Sequence, residues 1–74
     1  MFPKEVYYPI QDSKFVKLRL TIGLDLKTQE FWVESDLVQS ENDKIFQHLG
    51  KKFKIQTEHD AIQDGLNFYY SIKK

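Results

Sequence analysis

Residues 14–26 read KFVKLRLTIGLDL, and every even position from Val16 to Leu26 is apolar. Lys17, Arg19, Thr21, Gly23 and Asp25 fill the odd positions between them. Six apolar residues at a period of two are a strand signal. One face of this strand is built for a core. The other face, beginning with Phe15, is left for water or for a partner.

On the C-terminal side, Asp25 to Gln29 supply turn chemistry and Glu30 to Ser35, EFWVES, reads as a second strand. So few residues separate the two runs that an antiparallel hairpin over 14–35 is the simplest pairing. Phe31 and Val33 then share the core face with the leucines, while Trp32 and Glu34 point the other way. A one-residue slip or a bulge would exchange Phe31 and Trp32, and alternation alone leaves that choice open. On the N-terminal side, Val6 to Ile10 is a short β-prone run. Pro9 lacks a ladder donor, so this strand is expected at an edge or with an irregularity.

Further along, Ser40 and Asp43 have the spacing of a capping box, with Asp in place of Glu or Gln. Ile45, Phe46 and Leu49 make an apolar stripe, and Gly50 stands where a C′ glycine would end a helix. The spacing predicts a helix over about 41–49. Phe53 to Thr57, FKIQT, reads as a short strand with Phe53 and Ile55 facing inward. Thr57 is placed to cap a last helix over about 58–72. Its broad apolar face comprises Ala61, Gly65, Phe68 and Ile72, with Ile62, Leu66 and Tyr69 beside them. Gly65 costs about 1 kcal/mol against Ala in a helix interior. Paired with Ala61, it would let the helix backbone approach the sheet closely. The expected architecture is one α+β domain over 1–74: a small antiparallel sheet of three to four strands with two helices on one face.

Size and composition limit what such a domain can do. The chain has 74 residues, 41% hydrophobic and 15% aromatic, with no cysteine. A chain this short buries only about 60% of the surface that its unfolded form exposes. Partner binding could supply part of what a small core lacks. Eleven basic and eleven acidic residues cancel, so there is no general attraction to nucleic acid or to an anionic membrane. Pro3, Lys4 and Glu5 break up the N-terminal apolar run, so it does not read as a signal peptide. No stretch approaches the roughly 18 apolar residues of a membrane span. A soluble, cytoplasmic protein is the expectation.

Charge runs in blocks. Glu30, Glu34, Asp36, Glu41 and Asp43 are followed by Lys44, Lys51, Lys52 and Lys54. With acids at a helix start and lysines past its end, the macrodipole accounts for much of this. Glu58 and Asp60 at the start of the last helix, with Lys73 and Lys74 at its end, repeat the arrangement. Lys51, Lys52 and Lys54 around Phe53 form the best candidate for phosphate. His48 and His59 find no converging ligands in this reading, and a metal site needs three or four. No metal and no cofactor is therefore expected. Without a cysteine nucleophile, a Gly-rich phosphate loop or a serine nucleophile motif, no enzyme activity is expected either.

These observations favour a non-enzymatic protein-interaction module: an adaptor, an inhibitor or a subunit of an assembly. Phage and mobile-element chains are often of this size and type, so an inhibitor of a host enzyme fits. The expected contact face is Phe15, Lys17, Arg19, Trp32 and Glu34, with Tyr70 on the last helix as a secondary contact. Trp is enriched in interface hot spots. The alternative is a nucleic-acid-binding module that uses Lys17, Arg19 and the lysines of 51–54. A homodimer paired through a free sheet edge is a third reading.

Overall fold

The computed structural model describes residues 1–73; Lys74, expected near the end of the last helix, lies outside them. Four strands, β1 (Lys4–Ile10), β2 (Ser13–Asp25), β3 (Glu30–Gln39) and β4 (Ile45–Ile55), precede one helix, α1 (Glu58–Lys73). The strands form a single antiparallel sheet in the order β1-β2-β3-β4. Each strand pairs only with its neighbours in the chain.

The hairpin of β2 and β3 forms with the expected core face but runs past Ser35 to Gln39: Leu20 faces Ser35, Ile22 faces Val33 and Leu24 faces Phe31. Leu18, Leu20, Ile22, Val33 and Leu37 are buried beneath α1 with Ile55 and Ala61. Each large aliphatic side chain fully buried in this way contributes about 1.5–3 kcal/mol. Phe31 also faces this side, where its ring meets Phe2 edge-on at 5.5 Å. Leu26 falls beyond the end of β2, in the turn, and is exposed rather than part of the core.

The helix docks through its small residues, as expected. A Cβ on Gly65 would lie 2.9 Å from Leu20 Cδ2 and 3.0 Å from Val33 Cγ2. The close approach lets Ser35, wholly buried, donate a hydrogen bond of 2.8 Å to the Gly65 carbonyl. Thr57 caps the helix, its Oγ1 accepting from the Asp60 amide at 3.0 Å. Glu58 and Asp60 lie in the first turn and Lys73 in the last, in keeping with the macrodipole.

The helix expected over 41–49 does not form. Residues 40–43 make the turn of a third hairpin, and Ile45 to Ile55 run on as β4. Asp43 takes a left-handed φ of 59° and donates its amide to the Gln39 carbonyl at 2.8 Å. What read as a capping box is this turn. What read as an apolar helical stripe is a bulged strand. Eleven residues of β4 stand opposite only the eight of β3 from Phe31 to Val38. The register slips at three places, between Phe31 and Val33, Ser35 and Asp36, and Leu37 and Val38. Phe46 and Leu49 are the extra residues at two of these slips, and Phe53 and Lys54 share the third. Each bulge breaks the alternation of faces.

The bulges correct two further expectations. Gly50 is not a helix terminus; it lies in β4 opposite Ser35, and the Phe68 ring packs on it, where a Cβ would stand 2.4 Å from Cε1. Phe53 is not inward: it is exposed, while Ile55 is buried. Lys54 between them has φ of 61°, which turns the chain so that the two do not share a face.

Candidate functional site

The helix covers one face of the sheet and leaves the other open. The register places Arg19, Thr21 and Gly23 of β2 opposite Asp36, Glu34 and Trp32 of β3 on that outer face. At its centre is a charged cluster. Asp36 is only 1% exposed, although it lies on the side away from the helix. Its Oδ1 is 2.8 Å from Nδ1 of His48, the residue directly opposite on β4. Glu34 Oε2 is 3.5 Å from the same nitrogen. On the other flank, Arg19 is held between Asp36 and Glu5, at 3.6 and 3.8 Å.

The bulge at Leu49 makes this convergence. Asp36 pairs with His48 and Ser35 with Gly50, so Leu49 has no partner of its own and packs with the core. His48 stays on the outer face. Glu34 and Asp36, two residues apart on a strand, present both carboxylates to it. One carboxylate from each of Glu34 and Asp36 and one nitrogen of His48 lie within 4.8 Å of one another.

Toward the β2–β3 turn the face is aromatic. Gly23 lies under Trp32, and a Cβ there would sit 1.9 Å from the indole Cε2. The Lys51 ammonium stands 4.9 Å from the Trp32 ring and 5.1 Å from the Phe53 ring. Trp32 and Phe53, with Phe31, Asp25, Glu30 and Lys54, line an open hollow of about 480 Å³. At the other end of the sheet, Phe15 and Phe46 border a second hollow of about 450 Å³. Phe15 is 82% exposed, Phe46 62% and Phe53 58%.

Beside the second hollow, Lys17 pairs with Asp43 at 2.7 Å and its ammonium lies 4.4 Å from the Tyr7 ring. The Lys17 ammonium, hydrogen-bonded to the Asp43 carboxyl, holds that carboxyl below its usual range. Loss of hydration raises the Tyr7 hydroxyl above its ordinary value, reinforced by its hydrogen bond to Glu5.

Of the residues expected at a contact face, Phe15, Lys17, Arg19, Trp32 and Glu34 share the outer face. Lys17 and Arg19 are engaged in ion pairs on it. Tyr70 stands on α1, across the sheet from them, with its ring 6.0 Å from that of Tyr69. The lysines of 51–54 are dispersed. Lys51 lies over Trp32, whereas Lys52 is on the helix side and pairs with Asp64 at 3.1 Å. Asp36 and His48 lie outside the expected contact face: the sequence shows Asp36 only as part of an acidic block, and it offers His48 no converging ligands. The recurrence of Glu34 and Asp36 on one strand face was a usable signal, but His48 joins them only through the register of β4. No helix among the described residues is long and apolar enough to cross a membrane. No protein-family model matches the chain, and no curated protein or solved structure is significantly similar to it.

Proposed function

We propose that the protein is a small interaction module that engages a protein partner through the outer face of its sheet. The carrying observation is the set of exposed aromatics at both ends of the sheet: Phe15 on the outer face with Phe46 beside it at one end, and Phe53 beside Trp32 at the other. Large apolar side chains clustered around open hollows mark interaction surfaces more often than scattered ones do. Trp and Arg, the side chains most enriched in hot spots, both lie on this face. The fixed charges between the hollows would set the orientation of a partner.

Side-chain contact suits this molecule better than strand addition. Pro9 lies in β1 at one edge of the sheet. At the other edge, β4 carries three bulges and Lys51, Lys52 and Lys54. Proline, lysine and bulges all blunt an edge against pairing. Nucleic-acid binding is less well supported, because the cations that would carry it are split between the two faces or paired with carboxylates.

The test is affinity capture from the native host with four forms: wild type, Trp32→Ala, Phe53→Ser and Tyr70→Ala. A partner held at the outer face is retained by Tyr70→Ala and lost with Phe53→Ser and Trp32→Ala, at both low and high salt. Circular dichroism of each variant confirms that it is folded. Equal recovery by all four would overturn the proposal. Recovery that collapses steeply with salt would point to phosphate contacts instead.

A further inference from the structure

We propose that Glu34, Asp36 and His48 form a binding site for a divalent transition-metal ion, zinc foremost. The inference goes beyond partner binding and rests on separate observations.

The first observation is geometric. The His48 nitrogen lies 2.8 Å from Asp36 Oδ1 and 3.5 Å from Glu34 Oε2. Zinc takes imidazole nitrogen and carboxylate oxygen at about 2.0–2.2 Å in a tetrahedral arrangement. At those bond lengths, neighbouring ligand atoms of a tetrahedral site stand roughly 3.3–3.6 Å apart. The His48–Glu34 distance already matches this spacing, the His48–Asp36 pair would open by about half an ångström, and all three ligand atoms lie within 4.8 Å of one another. They project from adjacent paired strands rather than from loops, which limits the ordering that binding must impose.

The second observation is the state of Asp36. It is almost wholly buried, yet its Oδ2 has no hydrogen-bond partner. The nearest cationic atom, Arg19 Nη2, is 3.6 Å away, beyond hydrogen-bond length. A buried carboxylate is costly unless its oxygens are served. A divalent cation bound through Asp36 Oδ1, on the His48 side, would offset the charge of this carboxylate, whose Oδ2 is turned toward Arg19.

The ligand set decides the class of ion. One imidazole with two carboxylates is too poor in nitrogen and sulfur for copper(I) and too rich in nitrogen for a dedicated magnesium or calcium site. Locally, the three carboxylates of Glu5, Glu34 and Asp36 outnumber two cations, Arg19 and Lys51, the latter opposite Glu34 on β4. That balance favours a cation, while Arg19 keeps its affinity below that of a site free of positive charge. Three protein ligands leave a fourth position open to water or to a donor from a partner.

The test uses chelator-treated protein titrated with zinc chloride and, separately, cobalt chloride. Calorimetry should show one zinc ion per chain. Cobalt should give the visible absorption of a low-symmetry four-coordinate site, and one equivalent of zinc should shift the imidazole resonances of His48 and not those of His59. Loss of a mere supporting partner of a metal ligand costs about 10–100-fold in affinity, so His48→Gln and Glu34→Gln should each cost at least about 100-fold. Both positions are partly exposed, so these variants should fold. Asp64→Asn, which breaks an ion pair on the helix side, should bind zinc like the wild type. Absence of zinc binding by the wild type, or equal binding by His48→Gln, would overturn the proposal. Asp36 would then be served by Arg19 and His48 alone.

Discussion

At Gly23 a missing side chain sets the position of the only tryptophan. The indole of Trp32 occupies the space that a Cβ would need, and Lys51 lies over its ring. Gly23→Ala must therefore push the ring off the sheet. Forcing extra volume into a packed position costs typically about 1–3 kcal/mol. The expected result is a lower denaturation midpoint together with a red shift of tryptophan emission, both readable in one fluorescence-monitored unfolding experiment. Alternation made the outer face the simplest place for Trp32 but left Phe31 as the alternative, and the pairing of Trp32 with Gly23 decides it. The role of Gly23 was not legible, because a glycine at an odd position of a strand carries no sign of what lies across from it. Lys17 and Asp43 make a second residue-scale case. The carboxyl of Asp43 is held below its ordinary value by Lys17, so the folded protein binds this proton less readily than the unfolded chain. Such a group adds stability above its unfolded pKa of about 3.8, and that contribution is lost as pH falls through the depressed folded value. Lys17→Met should return the Asp43 titration, followed by carboxyl NMR, to the usual carboxylate range and flatten this part of the acid-stability curve.

Among the elements, β2 and α1 show their identities most plainly. Five alternating apolar residues, Val16 to Leu24, leave β2 no other way to bury its side chains, and Ala61 and Gly65 mark the stripe on which α1 rests. Gly65 tests that packing because two effects of opposite sign compete there. Alanine would gain about 1 kcal/mol in helix propensity. Its methyl would also press on Leu20 and Val33, both fully buried on the sheet, at a cost of about 1–3 kcal/mol. The second effect should prevail, so Gly65→Ala is expected to destabilise by about 1 kcal/mol in chemical denaturation. β4 is the element that the sequence disguises. A regular strand would show its apolar residues at a period of two, but each extra residue at a bulge shifts the phase. Ile45, Phe46 and Leu49 then stand at a spacing that imitates a helix, after a Ser–Asp pair that imitates a cap. Only pairing with β3 decides between the two. The His48 cluster was hidden for the same reason, since a residue assigned to a helix cannot lie opposite Asp36.

The whole molecule is a two-layer slab, 38 by 26 by 16 Å, with one layer of helix and one face of sheet left open. Both edges of the sheet carry features that oppose pairing: Pro9 on β1, bulges and lysines on β4. Sedimentation at high protein concentration should therefore show a monomer. A dimer would mean that one of these edges, or the aromatic outer face, pairs with a second copy. The bulges have one more consequence, for how this chain tolerates changes in length. Removing a residue from a regular strand turns every later side chain to the wrong face. Leu49, however, is surplus to the ladder, standing between two pairings that are already aligned. Its deletion should close the bulge, leave His48 beside Asp36 and Gly50 beside Ser35, and cost little more than the burial of one half-covered leucine, about 1–2 kcal/mol. Strand β4 thus holds spare positions of the kind usually found in loops, and a shortened chain could keep the same fold.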